Sequence, residues 1–80
     1  MTNRTGKLLQ KARIKAKMTQ LKLAQELGYE NPQFVSLVEN GHSKPPLRYC
    51  RKAIVSLGMN KAVVREALLR DYNESLDSEL

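Results

Sequence analysis

A single cysteine and a single histidine set the first limits on this chain. With only Cys50, no internal disulfide forms and no cysteine-rich metal site exists. Set among helical residues, Cys50 reads as a small buried apolar group. His42 has no second His or Cys near it, so no metal is expected, and no cofactor. No apolar run approaches the length of a membrane span. The first residues, MTNRTGKLLQ, carry charge but no apolar signal-peptide core. The expectations are no membrane and a cytoplasmic location. There is no strand pattern, internal repeat or low-complexity segment. Paired carboxylates in a plausible cleft, a Ser/His/Asp set and a Gly-rich phosphate loop are also missing, so an enzyme is the least favoured class.

The acids and bases are unevenly spread. Residues 1–22 hold seven Lys or Arg and no acid, whereas residues 71–80 hold Asp71, Glu74, Asp77 and Glu79 and no base. The whole chain carries a formal +6, and its first seventy residues, with fourteen basic and four acidic groups, carry +10. Eighty residues with 41% hydrophobic content bury one small core. The division expected is a domain over residues 1–72 and a polar, acidic, flexible tail over 73–80. A basic body with an acidic tail suits a polyanionic ligand; the plainer reading is a highly soluble cationic domain.

Helical spacing accounts for the whole body, so the fold class expected is all-α: a compact five-helix domain containing a helix-turn-helix. Thr5 to Lys17 reads as helix 1, capped by Thr5, with Leu8, Leu9, Ala12 and Ala16 on one side and Arg4, Lys7, Lys11 and Lys15 on the other. Thr19 caps helix 2, whose stripe is Leu23, Ala24 and Leu27, and Gly28 closes it. Asn31 as cap and Pro32 at the first helical position open helix 3, with Val35 and Val38 inward and Gly41 at its end. Ala24 is small, as two steeply crossing helices need at their closest approach. Such a corner presents a second helix to the DNA major groove. HSKPP is then a stiff connection. Pro46 opens helix 4, with Leu47, Cys50, Ile54 and Leu57 inward and Gly58 at its end. Asn60 caps helix 5, with Val63, Val64, Ala67 and Leu68 on its apolar face.

The order Arg13, Thr19-Gln20, Leu23-Ala24, Leu27-Gly28, Val35, Val38-Glu39-Asn40-Gly41 resembles the phage-repressor and Cro-type helix-turn-helix family, also called XRE-like, over about residues 5 to 58. The resemblance implies that Gln20 anchors a phosphate and braces the recognition helix, and that Arg13 and Glu39 form a partly buried ion pair. It also implies that Asn40 and the loop after Gly41 hold the sugar-phosphate backbone with side chain and backbone amides. Domains of this kind pair on palindromic operators and regulate transcription, so the resemblance also implies a lambda-repressor-like fold and a bacterial or phage-encoded, nucleoid-associated protein. One departure is visible: six residues separate Gly28 from Val35 where the common pattern has five. The extra residue is expected before Asn31.

On the outward side of helix 3, residues 31–40, Gln33 is the leading candidate for base contact, since its amide both donates and accepts, as adenine's groove edge requires. Ser36 is a weaker discriminator. Phe34 and Leu37 either touch thymine methyl groups or complete the core. Tyr29 either covers the core or bonds a phosphate, and Asn31 either caps alone or also meets a phosphate. The remaining phosphate candidates are Gln20, Asn40, Ser43 and Lys44, with Lys22, Arg4 and His42 behind them. The expected partners are double-stranded DNA and a second copy joined through helix 5, residues 60–72. The function expected is a sequence-specific regulator, a repressor, acting as a homodimer. The alternative partner is a protein: an antitoxin whose helix 5 and acidic tail bind a toxin and which autoregulates its operon.

Overall fold

The computed structural model describes residues 3–80, so the first two positions of the expected 1–72 domain lie outside the described residues. Five helices follow one another: α1 (Arg4–Lys15), α2 (Gln20–Leu27), α3 (Gln33–Glu39), α4 (Leu47–Leu57) and α5 (Lys61–Glu79). There is no strand among the described residues. The core is one cluster, built from Leu9 of α1, Leu23, Ala24 and Leu27 of α2, Val35 and Val38 of α3, and Tyr49 and Ala53 of α4. Met18, Tyr29, Phe34, Leu57 and Met59 close over it.

Local chemistry explains most helix ends. Thr19 Oγ1 accepts from the Lys22 amide at 3.0 Å, and Asn60 Oδ1 from the Ala62 amide at 2.8 Å. Gly28 and Gly58 end α2 and α4 in the left-handed conformation, at φ 93° and 63°. Several expected boundaries move. Helix 1 stops at Lys15, not Lys17, because Lys17 itself turns left-handed at φ 57°. Helix 3 covers Gln33–Glu39 instead of 31–40: Pro32 stands at the cap position, and Asn31 Oδ1 accepts from the Gln33 amide at 3.0 Å. In α4 the inward side is Tyr49, Cys50 and Ala53, and Leu47, expected inside, is 77% exposed. In α5, Val64 and Ala67 are buried while Val63 is half exposed. Helix α5 runs without a break from residue 61 to Glu79, across the expected division at 72.

The N-terminus of α1 is stabilised from the far end of the chain. Thr5, expected to cap α1 with its own hydroxyl, is inside the first turn and buried. Asn3 holds the cap position, but its amide Nδ2 donates to the Glu39 carbonyl at 2.9 Å instead. Asp71 of α5 takes over: its carboxylate accepts from the Arg4 amide at 3.2 Å, the Thr5 amide at 3.0 Å and the Thr5 hydroxyl at 2.9 Å. A negative charge there also opposes the positive end of the helix dipole. The Arg4 side chain donates to Glu74 and lies 3.6 Å from Asp71. These contacts fasten the long α5 across α1.

Next to this clamp, Gly6 allows α1 to meet the end of α3. A Cβ at Gly6 would fall 2.3 Å from the Val38 carbonyl oxygen, a backbone atom that cannot swing aside.

Asp71→Ala strands two amides and a hydroxyl at the α1 N-terminus and should cost about 1–2 kcal/mol. Chemical denaturation of the variant, compared with Asp77→Ala on the exposed side of α5, checks this; equal stabilities would contradict the capping role.

Candidate nucleic-acid interface

The element with the right form for groove entry is α3. It is only seven residues long, so it cannot hold its shape alone. Its inner side buries Val35 and Val38, and its C-terminal residue, Glu39, is 3% exposed although charged. Burying a carboxylate is tolerable only with full partnership. Here Arg13 Nε donates to Oε2 at 2.7 Å, Arg13 Nη2 donates to Oε1 at 3.1 Å, and Gln20 Nε2 donates to Oε1 at 3.0 Å. The third Arg13 nitrogen, Nη1, donates to the Met18 carbonyl at 2.8 Å. One carboxylate therefore joins α1, the α1–α2 corner, α2 and α3. The bidentate fork also fixes its orientation.

The candidate base-reading residues separate into two groups. Gln33 is exposed at the leading end of α3, and its side chain makes no hydrogen bond among the described residues. Ser36 is half-buried and accepts from Asn40 Nδ2 at 3.3 Å, so the two share the outward side one turn apart. Leu37 is also half-buried. Phe34 is different. Its ring lies 5.2 Å from that of Tyr29 and 5.8 Å from that of Tyr49, and Tyr29 is 6.2 Å from Tyr49. These three rings pack the junction of the corner, α3 and α4, at spacings where aromatic pairs attract. Phe34 thus belongs with the core cover, and so does Tyr29.

Among the phosphate candidates, Gln20 sits at the first helical position of α2, where the dipole favours an anion. One hydrogen of its Nε2 is used by Glu39, and the second is the donor that remains for an anion. Asn31, Asn40, Lys22 and Lys44 are exposed, and Ser43 is half-buried. Lys22 lies 3.8 Å from Glu26 on the same helix. His42 is exposed in the loop. Arg4 is committed elsewhere, to Glu74 and Asp71, which the sequence pattern of a free basic row on helix 1 did not anticipate.

The loop after α3 also departs from expectation. The Gly41 amide donates to the Val38 carbonyl at 3.2 Å, and the amides of His42 and Ser43 both donate to the Leu37 carbonyl, at 2.9 and 3.2 Å. These amides satisfy the open C-terminal carbonyls of α3. They are therefore not aimed at a phosphate, and Pro45 and Pro46 have no amide hydrogen at all, which leaves the amide of Lys44 between them. The Lys44 amide and the side chains of Ser43 and Lys44 are what this loop has to offer an anion.

Four positions that shape the interface escaped sequence reasoning. Gly6 had a signal, a glycine inside a helical run, which marks close approach. Asn3, Tyr49 and Asp71 had none, because each acts across a long sequence separation. Tyr49 is 2% exposed, and its hydroxyl has no hydrogen-bond partner among the described residues. Burial first, then the charge of Glu39, pushes its phenol above the ordinary tyrosine value. Burial likewise raises the Cys50 thiol. No group of three or more His, Cys, Asp or Glu among the described residues is placed to hold a metal ion, and no helix is long and apolar enough to cross a membrane.

A family model described as helix-turn-helix matches residues 9–62, which takes in the end of α1, the α2–α3 corner, α4 and the start of α5. No curated protein and no solved structure matches the chain.

Arg13→Ala or Glu39→Ala leaves the other charge buried and should cost about 3–5 kcal/mol, with the double change milder than the sum. Additive losses in a double-mutant cycle by denaturant titration would refute the coupling.

Tyr49 gives a pH prediction. Its phenol ionises near pH 10 when unfolded but only at higher pH when folded, so the neutral form's contribution is complete below about pH 10 and lost as pH rises through the folded value. Tyr49→Phe should remove that alkaline loss without reducing stability at neutral pH, as read by melting temperature against pH.

Proposed function

The chain belongs to the XRE-type helix-turn-helix family of DNA-binding transcription regulators, and from that premise we propose that it is a repressor that binds a palindromic operator as a homodimer. The observation that carries this reading is the state of α3: a short rod locked from behind by a buried carboxylate, with the unengaged amide of Gln33 at its exposed leading end. Gln33 reads an adenine edge, Ser36 adds weak discrimination, and the outer edge of Leu37 is available to a thymine methyl group. Phe34 is left out, because its ring is packed between Tyr29 and Tyr49.

Phosphates are gripped by Gln20, Asn31, Asn40, Ser43, Lys44 and Lys22, which set register without reading sequence. Arg4 is left out of this set while it serves Glu74 and Asp71. The two copies meet through α5, and the protein works at the nucleoid of a bacterial cytoplasm. The alternative, an acidic tail that captures a toxin, has less support: Asp71 and Glu74 are turned onto α1.

Selection of bound sites from random DNA, followed by footprinting, tests this function. The expected product is a two-fold symmetric site with half-site centres about 10–10.5 bp apart or a multiple of that. Gln33→Ala should cost about 1–3 kcal/mol and relax preference at one base pair per half-site, whereas Lys44→Ala should weaken all sequences alike and reduce the salt slope by about 1. Equal affinity for scrambled DNA would overturn the regulator, and a single asymmetric half-site bound by one copy would overturn the dimer.

A further inference from the structure

We infer that a cavity between the loop after α3 and the middle of α5 binds a small amphipathic anion, an apolar body with one acidic oxygen head, and that the bound anion withholds this loop from DNA phosphates. The cavity measures about 400 Å³. Sites for small molecules span about 300–1,000 Å³. Ser43, Lys44 and Leu47 line it from the loop and the start of α4, and Arg65, Leu69 and Tyr72 line it from α5. Its surface is mainly apolar. Leu47, Leu69 and Tyr72 are 77%, 47% and 60% exposed, so much of that apolar surface meets water. Covering it supplies the driving force for an apolar body. Pro45 and Pro46 stiffen the approach to Leu47, so this side of the cavity is formed before a ligand arrives.

The polar groups on the wall decide what the body must carry. The one acid there, Asp71, is spent: it accepts from the Arg4 and Thr5 amides and the Thr5 hydroxyl, and the Arg4 guanidinium lies 3.6 Å away. Asn3 Nδ2 is likewise committed, to the Glu39 carbonyl. Lys44 and Arg65, by contrast, make no ion pair and no side-chain hydrogen bond among the described residues. The hydroxyls of Ser43 and Tyr72 are uncommitted too. Each of these four side chains has a proton to donate, and the two charged ones are both positive. A cation would be repelled, and a neutral apolar molecule would leave the donors unused. An acidic head accepts from them and takes the stronger, charge-assisted bonds.

Lys44 and Ser43 connect this cavity to DNA, because the same side chains are what the loop offers a phosphate. An ammonium paired with the ligand's head no longer neutralises a phosphate. Anion and duplex therefore compete for one loop, and by linkage each weakens the binding of the other by the same factor. The site itself does not depend on the dimer or the operator proposed above; its effect on DNA rests on the phosphate role given there to Lys44 and Ser43.

Octanoate serves as the probe, with octanol as the body without charge and acetate as the head without body. Titration of the full chain, followed by amide NMR shifts, should show saturable binding of octanoate, about tenfold tighter than octanol, and none of acetate. Leu47→Ser should weaken octanoate and octanol alike, and Arg65→Glu should remove the preference for octanoate. Both positions are exposed, and circular dichroism checks that both variants are folded. Saturating octanoate should lower the affinity of the wild type for a mixed-sequence duplex about tenfold, while the same concentration leaves Arg65→Glu unchanged. Octanoate that does not bind, binds no tighter than octanol, or ignores both substitutions would overturn the site. So would a second copy seated on this wall, seen in sedimentation as self-association that excludes octanoate. Octanoate bound with duplex affinity unmoved overturns the competition, whereas a chain that binds octanoate but no duplex at all refutes the regulator and not the site.

Discussion

The buried carboxylate of Glu39 is the constraint on which the rest of the domain depends. A charge inside a core this small must be matched by donors from every side. Arg13 approaches from α1, Gln20 from α2, and the Glu39 carbonyl takes the amide of Asn3. Each donor comes from a different place in the chain, so meeting the demand of one side chain brings α1, α2 and α3 to fixed relative positions. A two-turn helix gains from this a rigidity that its own hydrogen bonds would not give it. The exposed side of α3 is presented because its inner end is bound so completely.

The same accounting governs the ends of the helices. The last carbonyls of α3 are met by Gly41, His42 and Ser43, and this removes those amides from any role in holding an anion. The first amides of α1 are met by Asp71, sixty-six residues beyond Thr5, and this brings the acidic half of α5 onto the basic start of the chain. The net charge of +6 is therefore not spread evenly over the surface. Some of the positive charge at the N-terminus is neutralised by α5, while Lys44 and Lys22 stay exposed near the corner.

The aromatic residues show the limits of periodicity. Tyr49, Phe34 and Tyr29 come from α4, α3 and the corner, and they form one contact group. In the sequence Phe34 and Tyr29 are each open to more than one use, and Tyr49 carries no signal of its own. Helix 4 could be rotated on paper to place either Leu47 or Tyr49 inward, since both lie near the start of an amphipathic run. Packing chose the tyrosine because its ring meets two others, and the cost is a buried hydroxyl without a hydrogen-bond partner among the described residues.

What the sequence by itself determined was local: five helical periods, the caps at Thr19 and Asn60, the closures at Gly28 and Gly58, and a family pattern that paired Arg13 with Glu39 and gave Gln20 a bracing role. Those signals are readable because a cap or a stripe is made by residues within a few positions of each other. Tertiary structure alone decided that Arg4 faces acids instead of solvent, that Asp71 caps α1, that Gly6 admits the Val38 carbonyl, and that residues 73–79 continue α5. These are contacts across the length of the chain, and which groups meet there depends on how the helices have already packed, information that no short window of residues contains.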